Sequence, residues 1–551
     1  MKRFLHDNPL GAVFILATLC LLPVMFLRDF SPDNELKYLS IADEAIDNGQ
    51  FFAFTNHGAP YADKPPLYLW IVMLGRILFG NSCMPFLALF SLIPAYLIIW
   101  AADDWLRKSA GLLQKPMERA GAALMLLTCF LFLGCSIFVR MDMLMCLFII
   151  LALRSFWMMH SGIGSFKKQS LLLPIWIFLA VFTKGPVGLL MPPITIICFL
   201  LIVRKGRTIG KYLGWKTWGI IAGLCLLWFA GVYADGGKSY LSDLLFHQTF
   251  GRAVNSFHHK APIYYYFITI WYSIAPWCLL LAGALIASLS NKEKSRSELE
   301  TFFLTGIVAT FVMLTAFSGK LAIYMLPIYP LMAYLFIFIK DRFGWRSWMK
   351  WSLAVPMVLL AIVGIAGALA LTIFKEYYIV KNMTSSYPFA TSPLIVIGLI
   401  ILAAGSIYSL ILTFRSDWEK PVIAQGVTIL LFAFTVSFLM PKINDYAGFG
   451  NFAKMIPDGA EVVAVNIRSA ENMDVYLGRT VKDYGKDLEG FQKDLGEGKI
   501  TAEYLITDSN RFRKVKGIEE YVSSMPHKSC GTYWLVALKK NNKTHSSTIK
   551  I

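Results

Sequence analysis

The sequence predicts a polytopic α-helical membrane protein carrying a small C-terminal α/β domain, on three observations. Hydrophobic residues make up 56% of the 551 positions and charged residues only 16%, too apolar a balance for an ordinary soluble domain. Apolar runs long enough to cross a bilayer, about 20 residues each, recur along most of the chain. After Met440 the pattern changes to short strand-like segments separated by polar sequence.

The expected spans lie near residues 10–27, 85–102, 120–136, 143–158, 170–183, 186–203, 217–234, 263–289, 301–317, 321–339, 351–374, 392–414 and 421–440, about 13 in all. The basic start and apolar centre of the N-terminus resemble a signal peptide, but no small-x-small cleavage site follows, so it reads as an uncleaved first span. Residues 66–80 are left out, because 15 residues reach only about 22 Å as a helix and include Arg76. Beyond Met440, "AEVVAVNI", "AEYLITDS" and "YWLVALKK" read as strands. This gives a membrane unit over 1–440 and an α/β unit over 441–551, with no internal repeat and no disulfide framework among the nine cysteines.

The formal charge of +17 follows the same division. With the N-terminus inside, the loops carrying Arg107, Lys108, Lys115 and Arg119, then Lys167 and Lys168, then Arg204 to Lys216, then Lys292 to Arg296, then Lys340 to Lys350, and finally Arg415 and Lys420 all fall on one side. That asymmetry is what the positive-inside rule requires, so the excess charge calls for no nucleic acid. The opposite side holds isolated polar residues of mixed sign in the loop 28–65, "VRMDM" at 139–143, "TKGP" at 183–186, the loop 235–262 and "SGK" at 318–320. Ionisable groups so close to a membrane are functional candidates by default.

In the first outer loop, "SPDNELKYLSIADEAIDNGQ" places Leu36, Leu39, Ala42 and Ile46 at helical spacing after a Ser-Pro start, with Gly49 to end the turn. This predicts an amphipathic helix lying at the interface. Asp33 and Glu35 suit the first turn of that helix through its dipole, or could serve as a general base. In "YADKPPLYLW", Pro65-Pro66 starts a new helix and fixes Asp63 and Lys64 just above it. Taken alone, Lys64, Tyr68 and Trp70 would pass for interfacial anchors.

Together with "VRMDMLMCLFIILAL", "FLAVFTKGPVGLLMPP", "FHHKAPIYYYFITIWYSIAPW" and "FSGKLAIYMLPIYPLMAY", this segment resembles, in order and spacing, the motifs of GT-C glycosyltransferases. The closest group is the ArnT-type branch of the protein O-mannosyltransferase superfamily. The resemblance covers roughly residues 28 to 340 and implies a GT-C fold. It also implies transfer of a sugar from an undecaprenyl-phosphate (polyprenyl-phosphate) donor to lipid A or a related envelope glycolipid, at the outer, periplasmic face of a bacterial inner membrane. Membrane lipids surround such a site and no nucleotide is needed. Glycosylation of exported proteins is the alternative acceptor chemistry; a lipid or solute transporter is the alternative of another class.

The resemblance also assigns roles. Lys64, Lys184 and Lys320, with Arg252 and Lys260 as further candidates, become partners of the donor phosphate, and Lys37, Tyr38, Tyr61 and Tyr324 face the substrates. Asp63 and His259, or its neighbour His258, become holders of a divalent metal (zinc, or magnesium or manganese), although that branch usually has glutamate where Asp63 stands. The branch also has adjacent Asp-Glu in its first loop, whereas this chain reads Asp33-Asn34-Glu35. The base is therefore Asp33 through a one-residue shift, Glu35, or Asp142 of "VRMDM", unless the acceptor is already ionised; Asp33 is preferred.

Overall fold

The computed structural model describes residues 7–245, 260–290, 296–508 and 518–538. Its helices run in chain order: α1 (Pro9–Leu27), α2 (Glu35–Asn48), α3 (Pro66–Phe79), α4 (Met84–Ala110), α5 (Pro116–Leu127), α6 (Phe130–Ile137), α7 (Asp142–His160), α8 (Phe166–Lys184), α9 (Pro186–Ile202) and α10 (Trp215–Ser242). There follow α11 (Tyr265–Ser273), α12 (Cys278–Ser290), α13 (Glu298–Ala316), α14 (Ile328–Phe343), α15 (Ser347–Thr372), α16 (Pro393–Arg415), α17 (Glu419–Ser437) and α18 (Met440–Ala447). Among the described residues, 9 helices are long and apolar enough to cross a membrane, or 10 if the bent pair α5–α6 is one span. The chain is a multi-pass membrane protein.

Three expected spans are broken. The run 120–136 is the pair α5–α6, bent by 77° at Thr128–Cys129. A backbone donor freed by that bend finds a distant partner, as hydrocarbon demands: the Phe130 amide donates to the Ala275 carbonyl at 3.0 Å, while the Trp277 indole donates to the Thr128 side-chain hydroxyl at 3.2 Å. The run 263–289 is α11 and α12, parted around Pro276, and 321–339 opens as a 3₁₀ turn before Pro327 and continues as α14. Proline removes a helical donor and crowds the preceding turn, so both of those breaks have a local cause.

The first loop folds as its pattern implies. Leu36, Leu39, Ala42 and Ala45 of α2 are buried, and Gly49 closes the helix at φ 65°, a left-handed conformation that glycine adopts without a Cβ clash. Residues 55–60 form a two-residue hairpin, β1 (Thr55–Asn56) against β2 (Ala59–Pro60). His57 and Gly58 at its tip take φ of 53° and 76°, the pair of positive angles that a type I′ turn needs. With only 14 residues, α3 is short for a crossing, as expected, and Arg76 near its end grips Asp43 of α2 with two bonds of 2.6 Å.

The C-terminal region is a five-stranded sheet in the order β4-β3-β5-β7-β6, formed by β3 (Val462–Val465), β4 (Lys482–Asp483), β5 (Tyr504–Asp508), β6 (His527–Cys530) and β7 (Tyr533–Ala537). β3 runs parallel to β4 and β5, and β7 antiparallel to β5 and β6. The expected strands are β3, β5 and β7; the short β4 and the polar β6 add the two edges. This sheet is seated on the first loop. Asn444 bonds both the Asp29 amide (3.0 Å) and the Leu27 carbonyl (2.7 Å). Asn472 donates to the Pro32 carbonyl at 2.9 Å, and a short helix, α19 (Asp474–Leu477), brings Tyr476 onto Asp29.

Candidate active site

The site is anchored by Glu35, the first residue of α2. Its buried carboxylate accepts two bonds from the Arg28 guanidinium (2.5 and 2.9 Å) and one each from the Ser31 and Val139 amides, both 2.7 Å. Four donors on one carboxylate join the end of α1, the start of α2 and the turn before α7. Asp33 stands differently. Half-buried and two residues away, it pairs with Arg468 at 3.0 Å and accepts a bond from Ser469 at 3.0 Å, both from the sheet region.

A second cluster gathers at the start of α7 and the end of α8. Asp142 is buried between Lys184, which donates to it directly, and Arg140, whose Nε lies 3.2 Å away. The Lys184 ammonium also sits 4.7 Å above the Tyr324 ring, a cation–π approach. Lys184 holds this place because α8 ends there: Gly185, at φ 95°, turns the chain into Pro186, the first residue of α9. The Tyr38 phenol is pushed well above its usual range, chiefly by burial, and it feels the charges of Arg140, Asp142 and Asp63 and the Tyr324 phenol. Tyr38, Asp63, Arg140, Asp142, Lys184 and Tyr324 therefore converge.

Around them lie the remaining expected residues. Asp63 and Lys64 are half-buried on the turn before Pro65. Lys37 holds its ammonium 4.7 Å above the Tyr61 ring, and the Tyr61 carbonyl accepts the Tyr240 hydroxyl at 2.7 Å. Lys320 is buried, its ammonium donating to the Phe317 and Ala261 carbonyls at 2.5 and 3.3 Å. With the Lys260–Gly319 bridge, those bonds hold residues 260–261, just before α11, against residues 317–320. Arg252, His258 and His259 lie outside the described residues, and among the described residues no three His, Cys, Asp or Glu side chains gather as a metal set. Asp63 is the described half of the expected pair.

Arg28 and Tyr68 were not expected here. Tyr68 is fully buried beside Tyr38, with ring centroids 6.0 Å apart. The signal for Arg28 was a lone cation at the C-terminal end of the first span, seven residues before an acid.

The fold has solved counterparts. ArnT from Cupriavidus metallidurans, bound to undecaprenyl phosphate, superposes with a TM-score of 0.72 at 17% identity, covering 97% of this chain and 99% of that one. Its apo state gives 0.70 at 18%, covering 96% and 98%. The chain has the ArnT-type GT-C fold. No family model matches, but curated relatives agree with the ArnT-type reading. The undecaprenyl phosphate-alpha-4-amino-4-deoxy-L-arabinose arabinosyl transferases of Edwardsiella ictaluri and Erwinia tasmaniensis are 27% and 26% identical over 342 and 326 residues. Those alignments take in 61% and 57% of this chain and span 59% and 56% of the relatives' own length. The resemblance carried by the five motifs is thus borne out.

Proposed function

We propose that this chain transfers a sugar from an undecaprenyl-phosphate carrier to lipid A or a related envelope glycolipid, at the periplasmic face of the bacterial inner membrane. One observation carries the reading: in an ArnT-type fold, Arg140, Lys184, Asp142, Tyr38 and Tyr324 converge beside the turn holding Asp63 and Lys64. An acceptor oxygen attacks the anomeric carbon as the bond from that carbon to the carrier phosphate breaks, and the phosphate leaves with the electron pair. Lys64 meets the charge growing on that phosphate, with Lys184 and Lys320 as further partners and Arg252, outside the described residues, as the remaining expected one. Asp33, less buried than Glu35 and Asp142 and paired with a largely exposed Arg468, takes the acceptor proton; an acceptor already ionised needs no base. Lys37, Tyr38, Tyr61 and Tyr324 shape the space for the two substrates. Membrane residues 1–440 perform the transfer, and residues 441–551 form the periplasmic α/β unit.

Asp63 and His259 are the residues that would hold a divalent metal, a carboxylate–imidazole pair acceptable to zinc. Such an ion would add positive charge beside the phosphate. Chelation is then expected to weaken binding of a fluorescent undecaprenyl phosphate in the absence of any acceptor.

The deciding experiment incubates the purified chain with a labelled undecaprenyl-phosphate sugar and either lipid A or an unfolded secreted protein. Label should pass to lipid A, and Lys64→Ala should slow it on the order of 100-fold. Label on the protein alone would favour protein glycosylation, and label on neither would sink both acceptors.

A further inference from the structure

A second cavity lies apart from the Lys184 cluster. It has a volume of about 720 Å³ and opens where the end of α1 (Phe26 to Asp29), the α3–α4 connection (Asn81, Ser82), the segment 450–458 and the end of α19 meet. Such a volume falls within the range of small-molecule sites. Two membrane-crossing helices end at its edge, α1 and α4, so its floor lies at the bilayer surface. Phe26, 64% exposed on α1, continues that floor along the lipid-facing side.

The cavity's charges are unequally engaged. Arg28 is taken by Glu35. Asp29 accepts bonds from the Phe30 amide (2.8 Å), the Gly450 amide (2.8 Å) and the Tyr476 hydroxyl. Asp458 stands on the exposed rim. Arg479 donates only one long bond, 3.4 Å to the Pro457 carbonyl, while its buried Nε meets no acceptor among the described residues. Lys454 is exposed and touches the Asn451 side-chain oxygen at 3.0 Å. A buried guanidinium donor with no acceptor is costly unless a ligand supplies one. An anionic headgroup lodged between Arg479 and Lys454 would supply charge-assisted acceptors to both.

We propose that this cavity binds the phosphate-bearing headgroup of an anionic lipid, with Arg479 and Lys454 as its partners and the acyl chains running along α1 past Phe26. The site is independent of sugar transfer and stands whether or not the transferase reading does. The shared chemistry is a phosphate monoanion, and the amphipathic floor selects the lipid over the free ion.

The test titrates the full chain in detergent micelles with dioleoyl phosphatidylglycerol, dioleoyl phosphatidylcholine or inorganic phosphate, and reads bound lipid by native mass spectrometry. Phosphatidylglycerol should bind in preference to phosphatidylcholine and resist millimolar inorganic phosphate. Lys454→Gln and Arg479→Gln should each weaken the tightest adduct roughly fivefold. The exposed position Ser82 gives a plug, Ser82→Trp, should Arg479→Gln fail to fold. Undiminished binding by a folded variant of either kind overturns the site, and displacement by inorganic phosphate overturns its assignment to lipid.

Discussion

Asp33 and Glu35 are two residues apart, and their surroundings separate them. Glu35 is buried under four donors, so Glu35→Gln leaves the Arg28 guanidinium, only 9% exposed, facing a neutral amide. Breaking one side of such a pair costs about 3 to 5 kcal/mol, and the variant should unfold at a markedly lower temperature in detergent. Asp33 pairs with an Arg468 side chain that is 60% exposed, an arrangement typically worth less than about 1 kcal/mol. Asp33→Asn should therefore keep its melting temperature while transfer to a neutral hydroxyl falls; a normal rate would remove Asp33 as the base. The sequence showed that Asn34 interrupts the expected pair of acids. It could not show which acid would be engaged by the Val139 amide, because that contact spans more than a hundred positions.

At the scale of elements, the α8–α9 hairpin is held close by Gly188. A Cβ there would lie 2.5 Å from the Ala180 carbonyl carbon, a backbone atom that has no rotamer to turn away. Gly188→Ala should cost about 1 to 3 kcal/mol of stability and displace Lys184, four residues earlier, so that donor binding weakens along with the melting temperature. The hairpin β1–β2 carries a different device. His57 Nε2 lies 3.0 Å from Asp474 of α19 and 3.2 Å from the Ser40 hydroxyl, which itself donates to Asp474. Its bond to Asp474, aided by the charges of Asp474, Glu471 and Glu44, raises its affinity for a proton against the opposing effect of burial. A raised folded-state value means the stabilisation is fully present below the ordinary 6.5 and is lost as pH climbs through the raised value. The melting-temperature difference between the native chain and His57→Gln should shrink over that interval. Among the breaks, those at Pro276 and Pro327 were legible as prolines inside apolar runs. The bend at Thr128–Cys129 was not, because its partners, Ala275 and Trp277, lie far along the chain.

Across the whole molecule, the basic loops are not bare charge. Asp103 and Asp104 at the end of α4 receive Arg107, Lys108, Arg119 and Arg154, so part of the asymmetry read from the sequence is internally compensated. The orientation it implies can be checked in a Cys530→Ser background with a membrane-impermeant maleimide applied to intact spheroplasts. Glu497→Cys, in an exposed turn of the C-terminal region, should be labelled and Arg207→Cys, in the α9–α10 connection, should not; the reverse pattern would invert the topology. Fold class and outer motifs were readable because hydrophobic length and charge bias act locally along the chain. The seating of the sheet on the first loop was not, since Asp33 and Ser469 are 436 positions apart.

That seating carries a consequence for biogenesis. The bonds from Asn444, Ser469, Asn472 and Tyr476 to residues 27–33 can form only after every span between them has been synthesised and inserted. A nascent chain stopped anywhere before Asn444 has its first loop with none of these tethers. The loop that bears Asp33 is among the first parts of the protein to be synthesised and among the last to be locked in place.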